Sequence, residues 1–231
     1  MKQLIFAFSF FLYIFIPAFA FQLHNPINID NDTNFSKENG VKSGNGTETS
    51  PYIIEGWGIE LSNENDSGIF ISNTTKYFVI KNCYILNTNK SRKNYNGIYL
   101  KNVKNCKIDN VTIGKVETGI NNWYGTIDEI FNYSIYDSNC SIYNLHGNIG
   151  FIKNCKIVKC NIGINNWYGT IKNMKNCIMY NCNKAITAIW ETVAHKKITC
   201  QTFYYYSYIM PEESLKTTVT KCETHDLDKP E

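Results

Sequence analysis

Written in lines of 22 residues, the chain from about residue 98 onward stacks its apolar positions into three columns. Ile98, Ile120, Ile142, Ile164 and Ile186 form the first, Ile127, Ile149, Ile171 and Val193 the second, and Ile113, Ile135, Ile157 and Met179 the third. The same step is visible in words. GINNWYGTI at 119–127 returns unchanged at 163–171, which is 163 − 119 = 44 residues on, and SIYNLHGNI at 141–149 lies halfway between them. Repeats at a fixed period decide an architecture before local propensity does. A turn with three apolar faces cannot bury them alone, but stacking turns at about 4.8 Å pairs each strand with the next and closes a continuous core. The runs are Ile, Val, Thr and Tyr with β alternation, and the repeat leaves little room for a pair of helices. The pattern therefore predicts an all-β parallel solenoid over 50–206, roughly seven rungs long.

Polar columns fit the same step. Asn122, Asn144 and Asn166 align, as do Asn110, Asn132, Asn154 and Asn176, and both are expected as hydrogen-bonded ladders at corners. Gly125, Gly147 and Gly169 are expected where the backbone needs positive φ. Gly68 to Gly97 spans 29 residues, an insertion of 29 − 22 = 7, placed within 87–96 beside Lys90, Arg92 and Lys93.

The ends read differently. Residues 1–20 carry Lys2, an apolar run from Leu4 to Ile16 and the small-x-small ending Ala18-Phe19-Ala20, the pattern of a secretory signal peptide. A secreted or cell-surface protein with no membrane span after cleavage is expected. Residues 21–49 are polar and aperiodic and are read as a flexible leader; 207–231 are read as a C-terminal cap and tail. Net charge is +3 and Arg92 is the only arginine, which argues against nucleic acid as a partner. The nine cysteines are odd in number and follow the repeat, unlike a small stapled domain.

The opening GNGTETSPYIIEGWGI at 44–59, followed by 67–71, Asn73-Thr74-Thr75 and 77–83, resembles the start of right-handed parallel β-helix proteins. These are the pectin-lyase-like, NosD-like carbohydrate-binding proteins and sugar hydrolases, in a form similar to those of archaeal surface proteins. The resemblance spans about residues 44–200. It implies the fold and a carbohydrate-related role, with lyases, hydrolases, copper-associated proteins and non-catalytic surface repeats all within the group.

Three constellations could carry chemistry. Tyr124, His146, Tyr168 and Trp190 form a column expected to face solvent as a glycan platform, with Asn121, Tyr143 and Asn165 beside it. Trp123, Leu145, Trp167 and Ile189 are then the inward neighbours; with the face reversed, the Trp pair is the platform instead. Stacked rings that merely brace the solenoid are the alternative. Asp128, Glu129 and Asp137, with Asp109, are the candidates for acid/base chemistry or calcium in a polysaccharide lyase or glycoside hydrolase. Cys155, Cys160, Cys177 and Cys182 repeat a C-x4-C spacing that would suit copper or zinc, although their alternation points them inward as a thiol ladder. The function expected is that of a binding scaffold for a glycan or cell-surface polymer, requiring no cofactor. Its rivals are the lyase or hydrolase, a copper-handling protein and a purely structural envelope or adhesin module.

Overall fold

The computed structural model describes residues 21–62, 67–89, 91, 94–189, 198–206 and 216–218. They form a parallel β-solenoid of about six turns, one fewer than the repeat predicts, with rungs about 22 residues apart. The one helical element among the described residues is a single 3-10 turn at Asp32–Asn34, so none of them forms a helix that could cross a membrane.

Each turn has three sides. In the middle of the solenoid the first is Thr118–Trp123, the second Thr126–Phe131 and the third Ser134–Tyr136. The next turn repeats them as Cys140–Leu145, Asn148–Lys153 and Lys156–Val158. Pairing follows the predicted columns: Ile120 to Ile142 to Ile164, Ile127 to Ile149 to Ile171, and Ile135 to Ile157 to Met179. All nine are buried, and Ile186 packs partly buried against them. Val193 lies outside the described residues.

The corners share one device. A residue in the left-handed region turns the chain, and the residue after it points inward. Tyr124, Asn132 and Asp137 turn one rung at φ of 55°, 49° and 54°. His146, Asn154 and Lys159 turn the next, and Tyr168, Asn176 and Asn181 the one after. Asn tolerates this conformation better than other side chains, which is why it recurs there. The inward followers include Gly125, Gly147, Gly169, Cys155, Cys160, Cys177 and Cys182, all buried.

Two expectations change here. The glycine column does not hold the positive φ, which falls one residue earlier on Tyr124, His146 and Tyr168. Gly125, Gly147 and Gly169 are instead required by space, because a Cβ on any of them would collide with a ladder amide from Asn122, Asn144 or Asn166. Nor is that ladder at a corner surface: its three amides are buried inside the solenoid. Asn122 Nδ2 donates to Asn144 Oδ1 at 2.7 Å and Asn144 Nδ2 to Asn166 Oδ1 at 2.6 Å, while each also donates to the glycine carbonyl three residues on. The ladder stops where Leu100 replaces Asn in the column, and Asn122 Oδ1 is left without a partner there. The outer column forms its ladder only in part: Asn176 Nδ2 donates to Asn154 at 3.4 Å as expected, but Asn110 Nδ2 donates to Asn82 at 2.8 Å and Asn132 Nδ2 to Asp109 at 3.3 Å.

Residues 21–49 are not a flexible leader. Ile27–Ile29 pairs with Ile69–Ile71, and both isoleucines are buried. Gln22 and Leu23 pair with Trp57 and Gly58, and Val41–Ser43 runs antiparallel to the strand at Tyr52–Glu55. Trp57 Nε1 donates to Gly40 O at 2.8 Å and fastens the intervening loop. This segment is the first turn and its cap, invisible to the repeat because its partner lies 69 − 27 = 42 residues away. The insertion is also resolved: pairings shift from 103 − 74 = 29 to 106 − 78 = 28 at one corner, and from 114 − 86 = 28 to 118 − 96 = 22 across 88–95. Lys90, Arg92 and Lys93 lie outside the described residues.

Candidate functional site

The outer surface of the first side is aromatic. Alternation sends Ile120 and Asn122 inward and Asn121 and Trp123 outward. The left-handed corner at Tyr124 then breaks the alternation, so Trp123 and Tyr124 both lie on the outside. Trp123 and Trp167 are thus not core residues: Trp123 is half-buried, and Trp167 is 37% exposed. Leu145, between them, is also half-buried on the outer face. Either orientation taken alone would expose only one of the two columns; the corner exposes both.

The expected column of Tyr124, His146 and Tyr168 is assembled, but its rings stack on one another. Tyr124 and His146 lie 4.9 Å apart and 4° from parallel, His146 and Tyr168 5.0 Å and 21°. Their flat faces cover each other, and what reaches solvent is mostly edge, although Tyr124 keeps 58% exposure at the end of the row. Cross-rung stacking offsets part of the cost, about 1–2 kcal/mol, of holding non-glycine corners in the left-handed region. This column braces the corner. Trp190 lies outside the described residues.

The first side itself has a different arrangement. Phe70, Tyr99, Asn121, Tyr143, Asn165 and Thr187 make one outward column, and Lys101, Trp123, Leu145 and Trp167 its neighbour. Tyr99 and Trp123 meet edge to face at 6.0 Å and 71°, Tyr143 and Trp167 at 5.9 Å and 71°. Polar groups lie between the rings: Asn121 Nδ2 donates to Asn96 Oδ1 at 3.0 Å, and Thr187 Oγ1 to Asn165 Oδ1 at 2.8 Å. Asn121 Oδ1 and Trp123 Nε1 are enclosed with no hydrogen-bond partner, an arrangement that native proteins rarely leave without a reason.

The candidate acids are dispersed. Glu129 Oε1 accepts from Lys153 Nζ at 3.0 Å on the second side. Asp109 accepts from Asn132 Nδ2 at 3.3 Å. Asp137 turns the third corner, stacked between Lys115 and Lys159. Asp128 occupies a bulge, where the register shifts between Ile127 and Glu129. It lines a groove of about 410 Å³ with Glu48, Tyr77 and Lys107. Burial lifts its carboxyl above the usual range, opposed by Lys107 and Lys172. The carboxylate sharing its groove is therefore Glu48, which the repeat did not single out, rather than Asp109 or Asp137. No group of three or more His, Cys, Asp or Glu among the described residues is placed to hold a metal ion.

The cysteines turn inward. Cys83, Cys106, Cys140, Cys155, Cys160, Cys177 and Cys182 are all buried and unbridged, and Cys155 and Cys83 each donate S–H to the carbonyl two residues back at 3.2 Å. Burial pushes the Cys83 thiol up to about 11 and Cys140 up to about 12. Thiols held up in this way are poor nucleophiles, since that role needs the thiolate. In the candidate quartet the thiols pair along the column: hydrogen bonding to Cys177 and Cys182, with burial, raises Cys155 and Cys160, and the same bonds lower Cys177 and Cys182. At pH 8, Ellman's reagent is expected to leave these seven thiols untouched in the folded protein, and more than two reactive thiols per chain would contradict the burial. The same shifts set a pH dependence. In the unfolded chain Cys83 and Cys140 ionise near pH 8.5, so their contribution is whole below that pH and is lost as pH rises toward 11 and 12. The urea midpoint should accordingly fall across that alkaline window.

Comparison with known proteins gave no match: no family model, no curated protein and no solved structure is significantly similar to this chain.

Proposed function

We propose that this protein is an exported, non-catalytic binding scaffold that holds a glycan on the outer face of its first side. The observation that carries this is the strip of Phe70, Tyr99, Trp123, Tyr143 and Trp167 along one face, interleaved with Asn121, Asn165 and Thr187. Aromatic rings present flat apolar surface to the C–H faces of sugars, and neighbouring amides and hydroxyls match sugar hydroxyls. Binding is favoured over hydrolysis or elimination because Asp109 and Asp137 do not join Asp128, whose groove with Glu48 includes none of the aromatic strip, whereas both reactions need acid and base groups within reach of one bond of the bound sugar. Export rests on the signal-like residues 1–20. Kinship with the pectin-lyase-like and NosD-like proteins is part of this proposal and rests on the opening motif and the solenoid fold.

The test is a pull-down on a panel of insoluble polysaccharides, with reducing ends and unsaturated products assayed in the supernatant. Retention without product is expected, together with its loss when Trp123 and Trp167 are both replaced by Leu. Release of product would favour the lyase or hydrolase, and failure to bind any polysaccharide would leave the structural module as the better account.

A further inference from the structure

The core needs a repeat of 22 residues, yet the strict identity in the chain recurs at 44. Inward residues do not account for the difference. Ile120, Asn122, Gly125 and Ile127 recur on the intervening turn as Ile142, Asn144, Gly147 and Ile149. Gly119 and Gly163 are held by space, because a Cβ at the first would strike Tyr133 and at the second Met179. What remains of the nine identities is Asn121, Trp123, Tyr124 and Thr126, none of them buried. On the intervening turn these become Tyr143, Leu145, His146 and Asn148. The inside of the solenoid has a period of one turn, and this part of the outside has a period of two.

Tyrosine follows the longer period too, since Tyr99 and Tyr143 are 143 − 99 = 44 residues apart. Each sets its ring against the Trp of the following turn, with the same 71° angle and distances of 6.0 and 5.9 Å. Edge-to-face packing explains one such pair; it does not require a second, congruent pair two turns away. At the ordinary strand spacing the two units are separated by about 9.6 Å, comparable to two sugar units of an extended chain.

We propose that the first side carries two equivalent subsites, Tyr99–Asn121–Trp123 and Tyr143–Asn165–Trp167, for an unbranched, uncharged, β-1,4-linked polysaccharide lying along the solenoid axis with one disaccharide per subsite. The proposal rests on the glycan-binding function above. A β-1,4-linked hexose or N-acetylhexosamine chain is extended and repeats every two sugars, so successive repeats meet successive Trp–Tyr units in the same orientation. An α-1,4-linked glucan coils and offers no such match. Charge supports a neutral ligand: among the described outward residues aligned with Asn121 and Trp123, Lys101 is the one charged side chain.

The experiment is calorimetric titration with β-1,4-linked N-acetylglucosamine and glucose oligomers of two to six units, and with maltose oligomers as the coiled counterpart. Affinity is expected to change less than about threefold from two to three sugars and to rise about tenfold or more on reaching four, when both subsites engage. Trp123→Leu and Trp167→Leu copy the residue found at Leu145, which suits these substitutions to the fold; urea unfolding checks it. Each single variant should abolish the step and leave disaccharide affinity, and the double variant should abolish binding. An even gain per sugar, a requirement for only one Trp, or equal binding of maltose oligomers would overturn the two-turn match while leaving glycan binding in place. No binding of soluble oligomers with retention on insoluble polysaccharide also overturns this inference alone; loss of both overturns the function it rests on.

Discussion

Asn144→Leu is expected to destabilise the protein by roughly 3–5 kcal/mol, far more than its similar volume would suggest. Asn144 is the middle rung of the interior ladder, fully buried, accepting from Asn122 and donating to Asn166 and to the Gly147 carbonyl. A leucine supplies none of these. Asn166 Oδ1 loses its donor and Asn122 Nδ2 one of its two acceptors, while Gly147 O is left with the Thr170 N–H alone; each buried group left unpaired costs about 1–3 kcal/mol. Leu100 occupies the same column at the end of the ladder, where it leaves a single acceptor, Asn122 Oδ1, without a partner. The cost thus belongs to the network rather than to the position.

Asn144→Asp separates the two contributions by pH. A protonated Asp can still accept from Asn122 and donate once, so near pH 4 the variant should lie about 1 kcal/mol below wild type, the worth of one hydrogen bond. Ionising it inside the solenoid places an unpaired charge in an apolar core, so its folded pKa must lie above the unfolded value of about 3.9. Its contribution is therefore whole below that value and is lost as pH rises through the folded pKa. Urea midpoints at pH 4 and pH 7 measure this directly, and an Asp variant equally destabilised at both would show that the ladder is not dry.

The inward half of the molecule was legible because a one-turn step leaves the same imprint on every rung: Ile120, Ile142 and Ile164 cannot vary without opening the core. The outward half was not, for a local reason. Counting by twos from Ile120 puts Tyr124 inside, and counting from Tyr124 puts Trp123 inside; only the positive φ at residue 124, which no periodicity reveals, puts both outside. A signal for these corners was nevertheless present. The dipeptide Asn-Cys occurs six times, and at 82–83, 105–106, 154–155, 176–177 and 181–182 the Asn turns the corner and the Cys points inward; at 139–140 the Cys is again buried, but the corner falls earlier, on Asp137. Asn is the side chain that best tolerates the left-handed region, and Cys is small and apolar enough to follow it. Ile27 and Ile29 were missed because the cap inserted after them moves their partners away from the common step.

Deleting 22 residues, 140–161, should leave a folded solenoid one turn shorter, whereas deleting 21 of them should abolish folding. The register decides this. Residue 162 normally stacks on residue 140, so joining Asn139 to Ile162 seats Ile164 on Ile120, Asn166 on Asn122 and Ile171 on Ile127. Every inward column and the Asn ladder close again, and the loss is limited to one turn and its interface, as expected for a quasi-one-dimensional fold. With one residue fewer removed, Ile164 and Asn166 fall on outward positions, Gly163 and Asn165 on inward ones and Trp167 on the corner, so the core columns no longer close. Circular dichroism and urea unfolding distinguish the outcomes, and a cooperative transition for the 21-residue deletion would refute the register argument. The shortened protein also tests the outer face independently of any aromatic substitution. It keeps Trp123 and Trp167 but sets them on adjacent turns, about 4.8 Å apart instead of twice that distance. The deletion also removes Tyr143, so a stable, fully folded variant that no longer distinguishes four sugars from two would show that the two Trp rings do not suffice without a complete second subsite two turns away.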